Sequence, residues 1–191
     1  MRIAIADDEK DMRDYYCKML PRLGHEVVCA CANGRELVEQ CRIHRPELVI
    51  TDIRMPLLDG IDAAKEIYRQ FPVPVILVSA YHDHGLIERA ENDHVLAFLG
   101  KPIKLADLEP AIALASRRFE QFEALRHEAE DLRQALADRT LLERAKGLLM
   151  KGTGIDEAEA FCQLLRLASE KNQKLVEIAR SLIAANEPLS N

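Results

Sequence analysis

The sequence lacks the features that would mark a membrane, secreted or low-complexity protein. No apolar run approaches the ~20 residues that a transmembrane helix needs. The N-terminus enters a predicted strand almost at once, so we expect no signal peptide. With 48% hydrophobic and 30% charged residues and no low-complexity tract, the composition is typical of a soluble globular protein with a real core.

Cysteines are few, and their spacing matches neither a disulfide framework nor a common metal motif. The five cysteines are an odd number and include no CxxC pair. This pattern favours buried reduced thiols over a metal site. We therefore expect the protein in the cytoplasm.

The chain also has little excess of positive charge in any region. Its formal net charge is −6, and the segment 139–186 carries 8 Lys and Arg residues against 6 Asp and Glu residues. Charge alone therefore does not predict a nucleic-acid-binding protein.

The first half of the chain alternates between short apolar runs and segments with helical spacing. We interpret the short runs as buried parallel strands. The predicted strands are 2–6, 26–31, 47–52, 73–79 and 94–99, and the predicted helices are 9–23, 33–44, 60–70 and 83–91. This alternation predicts an α/β fold, a (βα)5 doubly wound parallel sheet with helices on both faces.

Polar residues follow several of these strands in short islands. The islands contain the acids Asp7, Asp8 and Asp52, and further along the chain Ser79 and Lys101. Function gathers beyond the carboxyl ends of the strands in an open parallel sheet, so we expect these side chains to meet at one edge. Clustered acids repel one another and favour a hard divalent cation, which also neutralises a transferring phosphoryl group. The set therefore predicts phosphorylation of an aspartate with the help of a divalent metal.

These islands resemble the receiver domain of two-component response regulators over about residues 1–120. The resemblance implies that Asp52 is the phosphoacceptor. It implies that Mg²⁺ is the cofactor, bound directly by Asp8, Asp52 and the backbone carbonyl of Arg54. Asp7 would act on the metal through water.

The same resemblance assigns three further residues and a partner. Ser79 and Lys101 would contact the phosphoryl group, and Phe98 would be the aromatic residue that switches position. A sensor histidine kinase would supply the phosphoryl group. The domain would not be an enzyme, apart from slow removal of the phosphoryl group from its own aspartate.

The chain changes character after the last predicted strand, where a long helix is expected. Between residues 105 and 150, glycine is absent before Gly147 and proline is absent after Pro110. A heptad runs through Leu108, Ala111, Ala115, Arg118, Phe122, Leu125, Ala129, Leu132 and Leu136. It predicts a coiled-coil linker at 121–138 that forms a homodimer. Packing of the helix on its own domain remains an alternative, because several alanines in the stripe suit close intramolecular contact.

The final segment, 139–186, predicts a small module of three helices. A break is expected at 151–154, and Asp156 with Glu159 predicts a capping box for the next helix. Helical spacing places Phe161 in the core of this module. So small a module buries little surface and depends on partners.

This segment resembles the ANTAR family, the RNA-binding module of transcription antitermination regulators. The resemblance is carried by the stretches 145–150, 157–161 and 164–168. It implies that paired modules hold tandem hairpin loops of nascent RNA, so that a terminator does not form. The predicted RNA contacts are Lys146, Gly147, Lys151, Arg166, Lys171 and Asn172.

Three other outputs are possible from the residues alone. A DNA-binding output is disfavoured because the helix that begins after Asp156 is acidic at its start. A protein-interaction output through the coiled coil is compatible with the weak charge. An enzymatic output is disfavoured because the sequence after residue 105 shows no nucleophile, metal or phosphate-loop signature.

Overall fold

The computed structural model of the protein describes residues 1–80 and 95–186. The helix predicted at 83–91 lies outside the described residues. The chain forms two compact units, of which the first is Met1–Glu123 and the second begins at Ala124. No helix within the described ranges has both the length and the apolar composition of a membrane span.

Five parallel strands form one sheet in the first unit. They are β1 Arg2–Ala6, β2 Glu26–Cys31, β3 Leu48–Asp52, β4 Val75–Ala80 and β5 Val95–Lys101. The strand order is β2-β1-β3-β4-β5. The chain therefore reverses its direction of winding between β1 and β3, the position where open α/β sheets bind ligands.

The described helices surround this sheet and then continue into the second unit. They are α1 Lys10–Met19, α2 Gly34–His44, α3 Gly60–Gln70, α4 Leu105–Thr153, α5 Glu157–Lys171 and α6 Leu175–Asn186. Successive residues of β1 point to opposite faces of the sheet, and each face has its own hydrophobic core. Ile3 and Ile5 lie in one cluster with Tyr16 of α1, and Ala4 lies in the other with Leu37 of α2. The predicted doubly wound fold is confirmed.

Helix α1 ends earlier than the sequence analysis predicted. The prediction extended the helix to Leu23, but α1 stops at Met19 and a short 3₁₀ helix covers Pro21–Leu23. Proline has no N–H to continue the helical hydrogen bonds, which explains the change. Gly24 then closes the segment with φ 80°, a left-handed conformation that glycine adopts without strain.

Helix α4 is longer than predicted at its C-terminal end. Lys151–Thr153 were assigned to a break, yet they continue the helix. Gly152 alone does not end it, since glycine in a helix costs only about 1 kcal/mol relative to alanine. The helix ends at Gly154, which has φ 75° and donates its N–H to the Met150 carbonyl at 2.9 Å.

The second unit has its own core and the predicted capping box. The buried residues that form this hydrophobic core are Ala145, Leu164, Ile178, Ala179 and Ile183. Asp156 Oδ1 accepts a hydrogen bond from the Glu159 N–H at 2.8 Å, and the Asp156 N–H donates to Glu159 Oε2 at 3.4 Å. The capping box at the start of α5 is therefore confirmed.

Phe161 does not lie in this core, so its predicted burial is wrong. Its ring is 39% exposed, and Leu165, one turn later on α5, is also exposed. The neighbouring side of α5, about 100° around the helix, is buried through Ala160 and Leu164. Helical spacing could not decide between the two sides, because α5 carries apolar residues on both.

Candidate functional site

Three carboxylates meet beyond the carboxyl ends of β1 and β3. Asp7 directly follows β1, and Asp52 is the last residue of β3. One carboxylate oxygen from each of Asp7, Asp8 and Asp52 lies within 4.8 Å of the others. Asp7 and Asp52 are buried, whereas Asp8 is exposed. The three acids that the strand ends were expected to bring together do lie together.

Lys101, the last residue of β5, supplies positive charge to this acidic pocket. Its Nζ lies 3.0 Å from Oδ2 of Asp7 and 3.1 Å from Oδ2 of Asp52. Glu9 adds another carboxylate, with Oε1 at 3.2 Å from the same nitrogen. Glu9, which occupies the N-cap position of α1, was not predicted to be part of the site. One ammonium group thus contacts three of the four neighbouring acids.

Burial and pairing act in opposite directions on the pocket's ionisation. Burial raises the pKa of Asp7 and of Asp52, and Lys101 partly offsets this effect for both. Partial burial opposes the charge of Lys101, but the two carboxylates outweigh it and raise the pKa of Lys101. The lysine therefore remains a cation. Any further positive charge in the pocket would stabilise the ionised forms of Asp7 and Asp52.

The backbone around Asp7 fixes its side chain in the pocket. The Asp7 N–H donates to the Cys31 carbonyl of β2 at 3.1 Å. Asp7 Oδ1 accepts a hydrogen bond from the Glu9 N–H at 2.9 Å. The Asp7 carbonyl accepts another from the guanidinium of Arg13, a residue that the sequence analysis did not identify.

The loop after β3 brings Arg54 to the open side of the pocket. Asp8 and Arg54 line one surface pocket together with Met55 and Asp59. Gly60 passes so close to the end of β3 that a Cβ there would collide with the Asp52 backbone carbonyl oxygen. The close approach of this glycine is what permits the loop to fold back against Asp52.

Ser79 and Phe98 lie on the two strands at the other side of the pocket. Ser79 lies in β4 and is paired with Gly100 of β5. Gly100 directly precedes Lys101 in the sequence. Phe98, in β5, is exposed and lines a surface groove with Pro102 and Lys104. Ser79 and Lys101 are therefore at the ends of neighbouring strands, as expected, and Phe98 lies on the surface.

The donor set of this pocket fits a hard divalent cation. Three carboxylates gather within 4.8 Å, and hard cations such as Mg²⁺ take oxygen ligands of this kind. Asp8 is the exposed member, and no hydrogen bond or ion pair engages its carboxylate in the described part of the chain. A cation can therefore reach this carboxylate from solvent.

The residues predicted to contact RNA show a different arrangement in the second unit. Lys146 is only 8% exposed. Its Nζ lies 2.9 Å from Oε1 of Glu143 and 2.6 Å from Oε1 of Glu157. These hydrogen-bonded pairs raise the pKa of Lys146 and lower the pKa of Glu157. Lys146 thus connects α4 to the start of α5.

The other predicted RNA contacts are spread over the surface. Lys151, Arg166, Lys171 and Asn172 are exposed, and Arg166 pairs with Glu170 at 3.3 Å. Asn172 ends α5 in the left-handed conformation, with φ 50°. A Cβ on Gly147 would meet no atom within 4 Å. In the described residues of this unit, no side-chain hydrogen bond or ion pair joins any two of the predicted contacts.

The linker part of α4 carries an apolar stripe that the single chain leaves uncovered. Leu125, Leu132 and Leu136 are 60–66% exposed, and Phe122 is exposed as well. The first residues of the heptad behave differently, since Leu108 and Ala115 are buried in the first unit. The stripe therefore fits a coiled coil from about Phe122 onward, while its start belongs to the core of the sheet.

Comparison with protein families accounts for nearly the whole chain. The model of the response regulator receiver domain matches residues 3–113, and that of the ANTAR domain matches residues 130–183. The transcriptional regulatory protein PdtaR of Mycobacterium tuberculosis is 39% identical over 182 residues. That alignment covers 95% of this chain and 89% of PdtaR.

Solved structures resemble the first unit. The crystal structure of a response regulator receiver domain protein from Clostridium thermocellum gives a TM-score of 0.58 at 28% identity, covering 63% of this chain and 98% of that one. The response regulator domain of Thermotoga maritima CheB gives 0.52 at 29% identity, covering 63% and 94%. The chain therefore belongs to the response regulators, with a receiver domain followed by an ANTAR output domain.

Proposed function

We propose that phosphorylation of Asp52 by a sensor histidine kinase controls RNA binding by the ANTAR domain, and that bound RNA hairpins prevent transcription termination. The observation that carries the first half is the contact between Asp52 and Lys101, 3.1 Å apart, beside two further acids. Such a site positions a nucleophilic carboxylate and balances the charge of an incoming phosphoryl group. The kinase and the nascent RNA place this activity in the cytoplasm.

Transfer to Asp52 forms one P–O bond as the P–N bond of the kinase's phosphohistidine breaks. Bound Mg²⁺ would supply charge neutralisation for the phosphoryl oxygens. Asp8, Asp52 and the Arg54 carbonyl would hold it directly, with Asp7 acting through water. Asp7, fixed by the Glu9 N–H, keeps its carboxylate aimed into the pocket during this step.

Lys101 and Ser79 respond to the new phosphoryl group. Lys101 already lies within 3.1 Å of the accepting carboxylate and donates to the phosphoryl oxygens once they are present. The Ser79 hydroxyl, on the neighbouring strand, donates a hydrogen bond to the same phosphoryl oxygens. The strand ends that carry both residues shift, and the exposed ring of Phe98 turns inward. The chain is thus a switch rather than an enzyme, with only slow loss of its own phosphoryl group.

The output follows from self-association through α4. Leucines that are exposed in one chain can be buried by a second copy, which brings two ANTAR domains together. Each module has only a slight excess of basic residues, so two modules on tandem hairpins give far tighter binding than one. Phosphorylation needs to contribute only a few kcal/mol to shift the monomer–dimer equilibrium by one to three decades.

One observation favours a second candidate, a protein-interaction output. Phe161 and Leu165 form an exposed apolar face on α5, and such faces also bind protein partners. The acidic first turn of α5, with Glu157 and Glu159, disfavours entry into a DNA groove. Binding of a protein partner with no affinity for RNA would select this candidate.

The phosphoacceptor is tested by labelling the full-length protein with acetyl phosphate and Mg²⁺. We expect Asp52→Asn to abolish labelling, because the amide cannot act as the nucleophile. Asp14→Asn is the matched control, since it removes an exposed carboxylate on α1 and should label normally. Undiminished labelling of Asp52→Asn would refute the assignment.

A further inference from the structure

One arginine holds the backbone of both acids that enter the pocket from β1. Nη1 of Arg13 lies 2.6 Å from the carbonyl oxygen of Asp7 and 3.0 Å from that of Asp8. Its own N–H donates to the Glu9 carbonyl at 3.2 Å, the first helical hydrogen bond of α1. The guanidinium is therefore anchored on a helix and reaches back over the preceding loop.

The two carbonyls need a donor from outside the regular structure. Asp7 and Asp8 lie after the last residue of β1 and before the first hydrogen bond of α1. Their carbonyl oxygens thus have no partner in the helix. Hydrogen bonds from a charged donor are shorter and stronger than those between neutral groups. Arg13 supplies such bonds to both oxygens with a single nitrogen.

The orientation of these two peptide groups decides where the carboxylates point. Asp7 turns into the protein and is fully buried, whereas the next side chain, Asp8, faces solvent. Asp7 has additional hydrogen bonds through Cys31 and Glu9. Among the described residues, Arg13 is the only one whose side chain forms a hydrogen bond with Asp8, and it does so through the Asp8 carbonyl. Loss of that bond would leave the Asp8 carboxylate free to move out of the cluster.

We propose that Arg13 is a positioning residue that sets the affinity of the acidic pocket for a divalent cation, by fixing the backbone of Asp7 and Asp8. This inference rests on the proposed function, since it requires the pocket to bind Mg²⁺. Arg13 touches neither the metal nor the phosphoryl group. It acts through the two aspartates.

The charge of Arg13 and its geometry predict opposite effects on Mg²⁺ binding. If only its positive charge mattered, removing it would tighten binding, because the guanidinium repels the cation. If it positions the acids, removing it weakens binding; outer partners of metal ligands typically contribute about tenfold or more to affinity. Added salt screens the charge effect and leaves the positioning effect largely intact.

The test is Mg²⁺ titration of the full-length protein by calorimetry, at about 0.15 M and about 0.5 M salt. We expect Arg13→Ala to bind Mg²⁺ about tenfold more weakly at both salt concentrations. Arg13→Lys keeps the charge on a shorter side chain with a different donor geometry, so its Mg²⁺ affinity should lie between those of the wild type and Arg13→Ala. Arg22→Ala is the matched control, because Arg22 is exposed and its side chain makes one hydrogen bond within the described residues, to the sulfur of Met19 at 3.8 Å.

Labelling with acetyl phosphate separates positioning from catalysis. At saturating Mg²⁺, Arg13→Ala should reach the wild-type rate, with only the Mg²⁺ concentration for half-maximal rate increased. Circular dichroism without Mg²⁺ checks folding, and Arg13→Lys carries the test if Arg13→Ala does not fold. Mg²⁺ binding by Arg13→Ala at or above wild-type affinity would overturn the inference alone. Failure of the wild type to bind Mg²⁺ would overturn the metal pocket as well.

Discussion

The two domains of this response regulator arrange their predicted functional residues in opposite ways. In the receiver, Asp7 and Asp52 come from separate strands and converge on one ammonium group, within 3.1 Å. In the ANTAR domain, Lys146 is paired with two glutamates, while Lys151 and Lys171 are exposed. The receiver site is thus a compact cluster of side chains, whereas the predicted RNA contacts lie on an exposed surface.

The difference follows from the two architectures. A parallel sheet brings the carboxyl ends of its strands to one edge, so residues that are distant in sequence must meet there. The ANTAR domain combines the end of α4 with the two short helices α5 and α6, and it buries one side of each and exposes the rest. A chemical step needs the first arrangement, whereas a large RNA partner can use the second.

The largest expected effect concerns the stripe of α4, which belongs to neither site. Changing Leu125 and Leu132 together to Asp should weaken self-association of the phosphoryl-mimic form at least about a hundredfold, since burying each leucine contributes about 1.5–3 kcal/mol. Monomer stability should change by less than about 1 kcal/mol in total, because both side chains are exposed and one surface substitution usually changes it by no more than about 0.5 kcal/mol. Sedimentation velocity measures the first quantity and thermal unfolding the second.

The control for this variant places two aspartates elsewhere on the same helix. Ala124→Asp with His127→Asp adds the same acidic side chains off the stripe. This variant should associate like the wild type. Equal loss of association in both variants would show that added charge, and not the stripe, controls the dimer.

The next effect tests how tightly the receiver site is packed. Gly60→Ala should lower the free energy of unfolding by about 1–3 kcal/mol and reduce labelling of Asp52, because the new Cβ collides with the Asp52 carbonyl. Denaturant unfolding and acetyl phosphate labelling measure the two changes. Wild-type stability in this variant would mean that the loop after β3 has room to move away from Asp52.

A smaller effect of opposite sign is expected at the matching glycine of the ANTAR domain. Gly147→Ala should stabilise the domain by about 0.5–1 kcal/mol, because the Cβ meets no atom and alanine favours the helix. RNA binding should nevertheless weaken if the RNA backbone approaches Gly147 closely. Unchanged RNA affinity with increased stability would remove Gly147 from the predicted contacts.

The smallest effect distinguishes two lysines of the ANTAR domain. Lys151→Gln should reduce the slope of log affinity against log salt by about 0.7 for single-stranded loops, since each phosphate contact contributes that amount. Lys146→Gln should change the slope less, because Glu143 and Glu157 already neutralise its charge. Filter binding over a range of salt concentrations measures both. Equal changes would show that RNA displaces the two glutamates.

The sequence predicted which acids and which lysine of the receiver lie close together, because order along the chain determines it. Asp52 is the last residue of β3 and Lys101 is the last residue of β5. Because the carboxyl ends of parallel strands lie at one edge of the sheet, the two side chains come close together. Arg13 and Glu9 were missed for a physical reason. Arg13 bonds two backbone carbonyls, and such a contact leaves no pattern of residue types. Glu9 contacts Lys101, which lies 92 positions further along the chain.

The ANTAR domain was predicted less completely. The capping box at Asp156 is a local signal and was found. The burial of Lys146 depends on Glu157, which reaches it only after the chain reverses. Phe161 was assigned to the core because helical spacing fits two faces of α5, and only the packing of α4 and α6 decides between them.

The central claim, that the state of Asp52 controls RNA binding, is tested most directly by one measurement. The full-length protein and Asp52→Asn are titrated with an RNA that carries two tandem hexanucleotide-loop hairpins, with and without Mg²⁺ and the phosphoryl mimic beryllofluoride. We expect tight binding and dimer formation by the wild type only when the mimic is present, and no response of Asp52→Asn. RNA binding of equal strength in both states would contradict the claim.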